Sequence, residues 1–385
     1  MARALALVIF AVLLSASDAA AQKRCCPRHT PPPGSSPHEV MQEFPSGGPM
    51  RTAWLVQWSF VTKVGFHITG AWFKRNPADP WIRVLWDARL AEIFVPYHDN
   101  SNRFYDMSDP NFFWQLVPAT AADAGCCGQL LGDPPVVIRE VRDRGPLWKD
   151  DMAVYRGEEL VLWATLDAAN YNYITQYSFR DDGSIGFRAA ATSRNYPGAE
   201  TVAHMHDALW RIDVDLGGWP NDTAMTMIHR EPDPPASLEA KDYMDPFNGG
   251  VEGKLEWNPL EFTEVTVVDE VIKNGRGNRI QYDLMPVRAG SSRHFKADEE
   301  FSRYDFWVTA YNFTETRYHQ VPTYVTGQSV TNGDVVLWYA SPMHHVPRDE
   351  DGHLDMGLWK GSALVMWTGF DLRPRNFFDT TPFFP

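Results

Sequence analysis

The sequence predicts a mostly β protein built as a large antiparallel β-sandwich. Short runs rich in β-branched and aromatic residues recur along the chain, and clusters of Gly, Pro, Asn and Asp bound them as strands joined by turns require. Stretches with helical periodicity are nearly absent, residues 238–243 being at best one short helix. A chain of 385 residues is long enough to bury one large core, and no internal repeat points to a propeller or solenoid.

Taken in order, the chain opens on a short basic segment at Arg3, an apolar run from Leu5 to Leu14 too short to span a bilayer, and small residues up to Ala21. This pattern predicts a signal peptide over residues 1–21 and a secreted, extracellular product. Residues 22–48, which contain Pro31-Pro32-Pro33-Gly34, read as a Pro-rich leader, leaving residues 49–385 as the folded domain. Within it, strands are expected at residues 53–61, 81–86, 159–165, 208–216, 263–271, 334–338 and 362–367. Many of the 15 tryptophans lie in these runs, where an aromatic core is the default reading and a sugar-stacking platform the alternative.

Four cysteines occur as the adjacent pairs Cys25-Cys26 and Cys126-Cys127. In an oxidising compartment the expectation is bridging between the pairs, with the connectivity open. Asn221-Asp222-Thr223 and Asn312-Phe313-Thr314 are glycosylation acceptors of the kind a secreted glycoprotein carries. A net charge of −14 argues against nucleic acid and anionic membrane as partners and would attract cationic ligands, although solubility explains it equally well.

Chemistry concentrates in three places. The apolar run 160–166 leads into Asn170-Tyr171-Asn172-Tyr173. Further on, His204-Met205-His206 would place two imidazoles on one face of a strand, suited to a shared metal ion, though strand histidines also serve as polar surface residues. A third imidazole is available in Met343-His344-His345-Val346-Pro347-Arg348-Asp349-Glu350-Asp351, and three imidazoles without a thiolate suit Cu(II) or Zn(II), with copper the tighter binder.

In combination these segments resemble the catalytic domain of the copper amine oxidases, which make the cofactor topaquinone from one of their own tyrosines. Asn170-Tyr171-Asn172-Tyr173 is similar to the family's N-Y-(D/E)-Y, His204 and His206 to its H-x-H, and His345 to Asp351 to its H-(I/V)-P-R-x-E-D. Gly369 to Pro382 matches its C-terminal ending, and Arg89 to Tyr97 its R-L-S-E-M-x-V-P-Y segment. Gly125-Cys126-Cys127-Gly128 is a further, weaker match.

The resemblance implies a β-sandwich enzyme that oxidises primary amines with O2, releasing aldehyde, ammonia and hydrogen peroxide. It implies Cu2+ on His204, His206 and His345, topaquinone at Tyr171 flanked by Asn170, a proton-abstracting base at Asp106 with Asp109 as fallback, and Tyr97 orienting the ring. Phe104 stands where the family has a gating aromatic. Asp213, Val214, Asp215, Asp334 and Val335 match its peripheral calcium site, an oxygen-rich set suited to Ca2+. A homodimer is the family's assembly.

The sequence also departs from the family. The two small domains that precede the family's catalytic one are not expected here, and the spacings from Asp106 to Tyr171 and from Tyr171 to His204 are short. Asn172 replaces the family's acid, and Val137-Ile138-Arg139-Glu140-Val141-Arg142 lacks the cysteine of the family's intradomain disulfide. A non-catalytic copper-binding β-sandwich is therefore the competing expectation.

Overall fold

Alternation of inward apolar and outward polar residues builds two antiparallel sheets in this computed structural model. It describes residues 38–383 apart from 112, 231–240, 259–260, 262, 288–293, 352, 357 and 361–362. The expected signal peptide and most of the expected leader lie outside the described residues.

Strands β1 (Glu39–Phe44), β2 (Thr52–Val61), β3 (Gly65–Lys74), β4 (Ile82–Pro96) and the short β5 (Arg103–Tyr105) start the first sheet. The chain crosses to the second sheet for β6 (Gln115–Leu116), β7 (Gln129–Gly132), β8 (Pro135–Lys149), β9 (Val154–Ala168), β10 (Tyr171–Arg180) and β11 (Ile185–Ser193). It returns with β12 (His204–Val214) beside β4, and adds β13 (Asp222–Arg230) and β14 (Lys241–Pro246) to the second sheet. Next come β15 (Gly253–Leu255) at the far edge of the first sheet, and β16 (Glu264–Lys273) and β17 (Arg279–Pro286) in the second. β18 (Phe306–Ala310) and β19 (Val335–His345) complete the first, with β19 paired along the whole of β12. β20 (His353–Asp355) and β21 (Leu358–Lys360) form a separate ribbon, and β22 (Ala363–Arg375) joins β17 to β11 in the second sheet.

The core lies between the sheets. Trp210 of β12 meets Tyr177, Phe187 and Phe370 of the opposite sheet edge-on, with ring centroids 6.0, 5.8 and 5.8 Å away. Trp54, Trp58 and Trp210 are fully buried in this core and Trp307 and Trp338 in a second cluster with Phe94 and Tyr318, whereas Trp86, Trp219 and Trp367 are exposed, so the core reading holds for some tryptophans and not for others.

Three expectations are corrected. The leader does not extend to residue 48: β1 pairs with β2, and Val40, Gln42 and Phe44 alternate inward ahead of the Pro45–Gly48 turn. The short helix expected at 238–243 is absent where the chain is described, because 241–246 form β14, an edge strand held by β13, while 238–240 lie outside the described residues. Strand bounds also differ: β12 runs from His204 to Val214 as one strand that includes the expected H-x-H step, and β19 continues past residue 338 through His345, so the third imidazole also stands on a strand. Cys127 is disulfide-bonded, consistent with a bridge, while Cys25 and Cys26 lie outside the described residues.

Candidate active site and metal centre

Register brings the site together. His204 pairs with His345 across β12 and β19, and Tyr97, just past β4, bridges to His204 from the other side. Within β12, His204 and His206, two residues apart, face the gap between the sheets, where Tyr171 of the opposite sheet meets them edge-on with ring centroids 5.8 and 4.5 Å away. From the opposite sheet, the β9–β10 turn at Ala169, whose φ is +57°, delivers Tyr171 and Tyr173 on one face of β10. Both tyrosines are buried, whereas Asn172 between them is half-buried on the other face. The residue that departs from the family's acid is therefore turned away from the Tyr171 hydroxyl.

Each imidazole has one nitrogen held by the protein and the other aimed at a common point. His204 Nδ1 donates to the Val202 carbonyl at 2.9 Å and His345 Nε2 to Asp351 Oδ2 at 2.9 Å. His206 Nδ1 lies 3.0 Å from the Tyr173 hydroxyl. These partners fix the tautomers and leave His204 Nε2, His206 Nε2 and His345 Nδ1 as lone-pair donors. Among the described residues, these three are the only set of three or more His, Cys, Asp or Glu donors within 4.8 Å of one another.

The electrostatics of this point call for a cation. His204 Nε2 and His345 Nδ1 are 3.2 Å apart, and the Tyr171 oxygen is 2.9 Å from the first and 3.4 Å from the second. The single Tyr171 proton is directed to Asn195 Oδ1 at 3.0 Å, so lone pairs confront one another. His206 Nε2 is buried with no hydrogen-bond partner. Protons do not fill the gap, because burial pulls His204 down to about 4 and His206 well below the ordinary histidine value. The donor set thus fits one Cu(II)-type ion beside a phenol.

Asp106 follows β5, and its N–H bonds to the Ile93 carbonyl at 2.9 Å, fastening it to β4. Its Oδ2 accepts from the Tyr173 hydroxyl at 2.5 Å and its Oδ1 is buried without a partner. Burial pushes the Asp106 carboxyl up to about 8, against the Tyr173 hydrogen bond that lowers it. Asp109 instead caps its own loop, Oδ1 accepting from Asn111 N at 2.8 Å, so Asp106 is the better-placed acid. The Tyr97 ring stacks on His204 at 4.3 Å and 13°, and its hydroxyl faces that of Tyr171. Half-buried Phe104 packs between Tyr97 and the partly exposed Tyr196, at 6.0 and 5.2 Å. Burial raises the Tyr171 hydroxyl far above the usual phenol range, with Tyr97 and Asp106 adding to the effect.

Asn170 does not reach the Tyr171 hydroxyl. Its carbonyl accepts from Arg194 N at 2.9 Å and its Nδ2 donates to the Asn195 carbonyl at 3.4 Å, which holds Asn195 in place. Tyr173, Asn195 and Asp351 are site residues that sequence reasoning passed over. Strand alternation would have found Tyr173, and the quoted His345–Asp351 segment contains Asp351; Asn195 left no signal. The calcium candidates Asp213, Asp215 and Asp334 share a cavity of about 550 Å³, on which Arg83 also closes by pairing with Asp215 at 2.7 Å. Val214 and Val335 are paired in the ladder beside them.

A β-sandwich that buries three aligned imidazole lone pairs against a tyrosine defines a class of protein suited to one transition-metal ion and redox chemistry at a phenol. A family model, copper amine oxidase, enzyme domain, matches residues 138–384, and the chain belongs to this family. The copper-containing amine oxidase alpha 2, peroxisomal, of Arabidopsis thaliana is 24% identical, covering 86% of this chain and 58% of that protein. The primary amine oxidase of Pisum sativum is 23% identical over 92% of this chain and 63% of its own length. The chain thus spans less than two thirds of these relatives. A copper-containing benzylamine oxidase from Hansenula polymorpha superposes with a TM-score of 0.65 at 18% identity, covering 92% of this chain and 64% of that one. The lysyl oxidase of Pichia pastoris gives 0.67 at 17%, covering 86% and 53%. At these identities the structural likeness establishes the fold.

Proposed function

We propose that the chain is a secreted primary amine oxidase that uses Cu2+ and a topaquinone formed from its own Tyr171. It converts a primary amine, O2 and water into aldehyde, ammonia and hydrogen peroxide. The observation that carries this reading is the seat of the Tyr171 hydroxyl, within reach of two lone-pair imidazole nitrogens in a buried site. Relatives named as primary amine oxidases support it.

Copper would be held by His204, His206 and His345, and the metal and the quinone would supply the electrophile for the amine and the electron path to O2. The chain's own residues provide the rest. Asp106, with Oδ1 open, takes the proton from the carbon next to the amine nitrogen. Tyr97, stacked on His204, and Asn195, the acceptor for the Tyr171 hydroxyl, fix the ring's edge and plane. The buried walls exclude water from the reacting atoms. Calcium on Asp213, Asp215 and Asp334 with Val214 and Val335, a homodimer, and cleavage after Ala21 belong to the same reading.

Tyr171→Phe tests it. Copper is expected to remain bound while quinone staining and amine oxidation vanish; amine oxidation that survives in this variant overturns the assignment. Copper uptake by the native chain without quinone absorbance after aeration would point to the non-catalytic copper-binding alternative. Because Asp106 must be ionised to act and its carboxyl is pushed up to about 8, turnover is expected to rise with pH and level off above about 8. Asp106→Asn should lower kcat by roughly 10²- to 10⁴-fold, measured as peroxide release.

A further inference from the structure

We propose that Tyr173 is a positioning residue that joins the metal ligand His206 to the carboxylate Asp106. One hydroxyl would then set both the imidazole nitrogen offered to the metal and the carboxylate oxygen offered to substrate. The proposal deepens the amine oxidase reading and rests on it for the roles of the two ends.

The argument is one of proton counting. The Tyr173 hydroxyl is fully buried and has one proton and lone pairs to accept with. The hydroxyl donates to Asp106 Oδ2 at 2.5 Å, as it must once Asp106 is ionised, because a carboxylate can only accept. At the 3.0 Å contact to His206 Nδ1 the hydroxyl must therefore accept, which places the imidazole proton on Nδ1. His206 Nε2 is then bare, and it is the nitrogen left without a partner at the metal point. At the other end, Oδ2 is occupied and Oδ1 is the oxygen left open. Had Tyr173 been phenylalanine, neither the tautomer of His206 nor the choice between carboxylate oxygens would be set by this contact.

The strand makes the bridge possible. Tyr171 and Tyr173 stand side by side on β10 with ring centroids 6.2 Å apart, so the residue that bridges ligand and base is fixed by the same ladder that fixes the phenol. The Tyr173 ring also packs against His206 at 5.8 Å and 66°. Charge-assisted hydrogen bonds in a buried chain reinforce one another, so a change at the carboxylate end should be felt at the imidazole end.

The test is a double-mutant cycle on copper affinity, read by competition titration of Cu(II) into anaerobic, unprocessed protein so that turnover plays no part. Tyr173→Phe is expected to weaken copper binding about 10- to 100-fold, the usual effect of removing a partner of a ligating histidine. Asp106→Asn, which touches no ligand, is expected to weaken it at least ~2-fold, the smallest coupling typical of one network. The double variant should bind no more weakly than Tyr173→Phe alone. Additive losses, or unchanged affinity in Asp106→Asn, would overturn the proposal, and the second result does so even if Tyr173→Phe fails to fold. In processed enzyme, Tyr173→Phe should also move the rise of the pH profile upward, since it removes a hydrogen bond that favours the ionised carboxylate. Native protein that binds copper yet forms no quinone would sink the amine oxidase reading while leaving the affinity cycle to decide the bridge.

Discussion

His345 shows how much of the site is decided one residue at a time. Its Nδ1 faces His204 Nε2, while its Nε2 is held by Asp351, which also accepts from Arg348 N at 3.0 Å. Asp351 therefore both orients the ring and supplies the negative charge that makes Nδ1 a better donor. Replacing it with Asn keeps an acceptor and removes the charge. Asp351→Asn should weaken copper binding roughly 10-fold or more, measured by equilibrium dialysis, with little change in thermal stability of the metal-free protein. Affinity equal to the native chain would show that Asp351 only shapes its loop. The three imidazoles stood out in the sequence as an H-x-H and a histidine just past a strand, and Tyr171 as a phenol after an apolar run, whereas Asp106 was marked only by the resemblance to the copper amine oxidases. Asn195 was not legible, because it meets Tyr171 through a loop contact between residues 24 positions apart, and no local pattern encodes that.

At the scale of the element, the strands run further than their apolar patterns. β22 was expected to stop at residue 367 but continues to Arg375, since Phe370 and Leu372 point into the core while Asp371 on the other face binds Arg180 and Arg188 at 2.8 and 2.7 Å. Charged residues look like a strand end in sequence, and only their cross-strand partners reveal a continuing ladder. The same holds at β12, where the expected apolar run began at residue 208 but the strand already includes the His204-Met205-His206 step. Within β22, Gly369 lies opposite Arg188, and a Cβ there would come within 1.9 Å of the Phe187 carbonyl oxygen. Gly369→Ala must push β22 off β11 and disturb the Phe187–Phe370 stack at 4.4 Å. The expected cost is about 2–3 kcal/mol, seen as a lower denaturation midpoint, and an unaffected midpoint would show that the strands part freely. The glycine that opens the C-terminal ending is thus a packing requirement of the second sheet.

Across the whole molecule, the β-sandwich class was legible from composition and turns. The partnering was not, because β12 lies between β4 and β19, strands far apart in sequence. That long-range assembly also buries acids whose local sequence looks ordinary. Burial pushes Asp222 up to about 10, with Asp269, Asp215 and Asp334 adding to the rise, and takes Asp106 to about 8, Glu264 to about 7, and Asp181 and Asp334 to about 6. Each of these groups is protonated in the fold over a range where the unfolded chain has released its proton. Their contribution to stability is therefore complete below about pH 4 and is lost as pH rises through the folded values. Asp222 dominates above neutrality, where it should lower stability by about 1.4 kcal/mol for each pH unit until about pH 10. Asn at this position is nearly isosteric and can keep the acceptor for Leu216 N, now 3.2 Å from Oδ2, without an ionisable proton. With chelator present to remove bound cations, Asp222→Asn should flatten the fall of the denaturation midpoint between pH 6 and pH 9 by that slope. Parallel curves for the two proteins would show that Asp222 is already ionised in the fold, its charge balanced by a cation that the chelator did not remove.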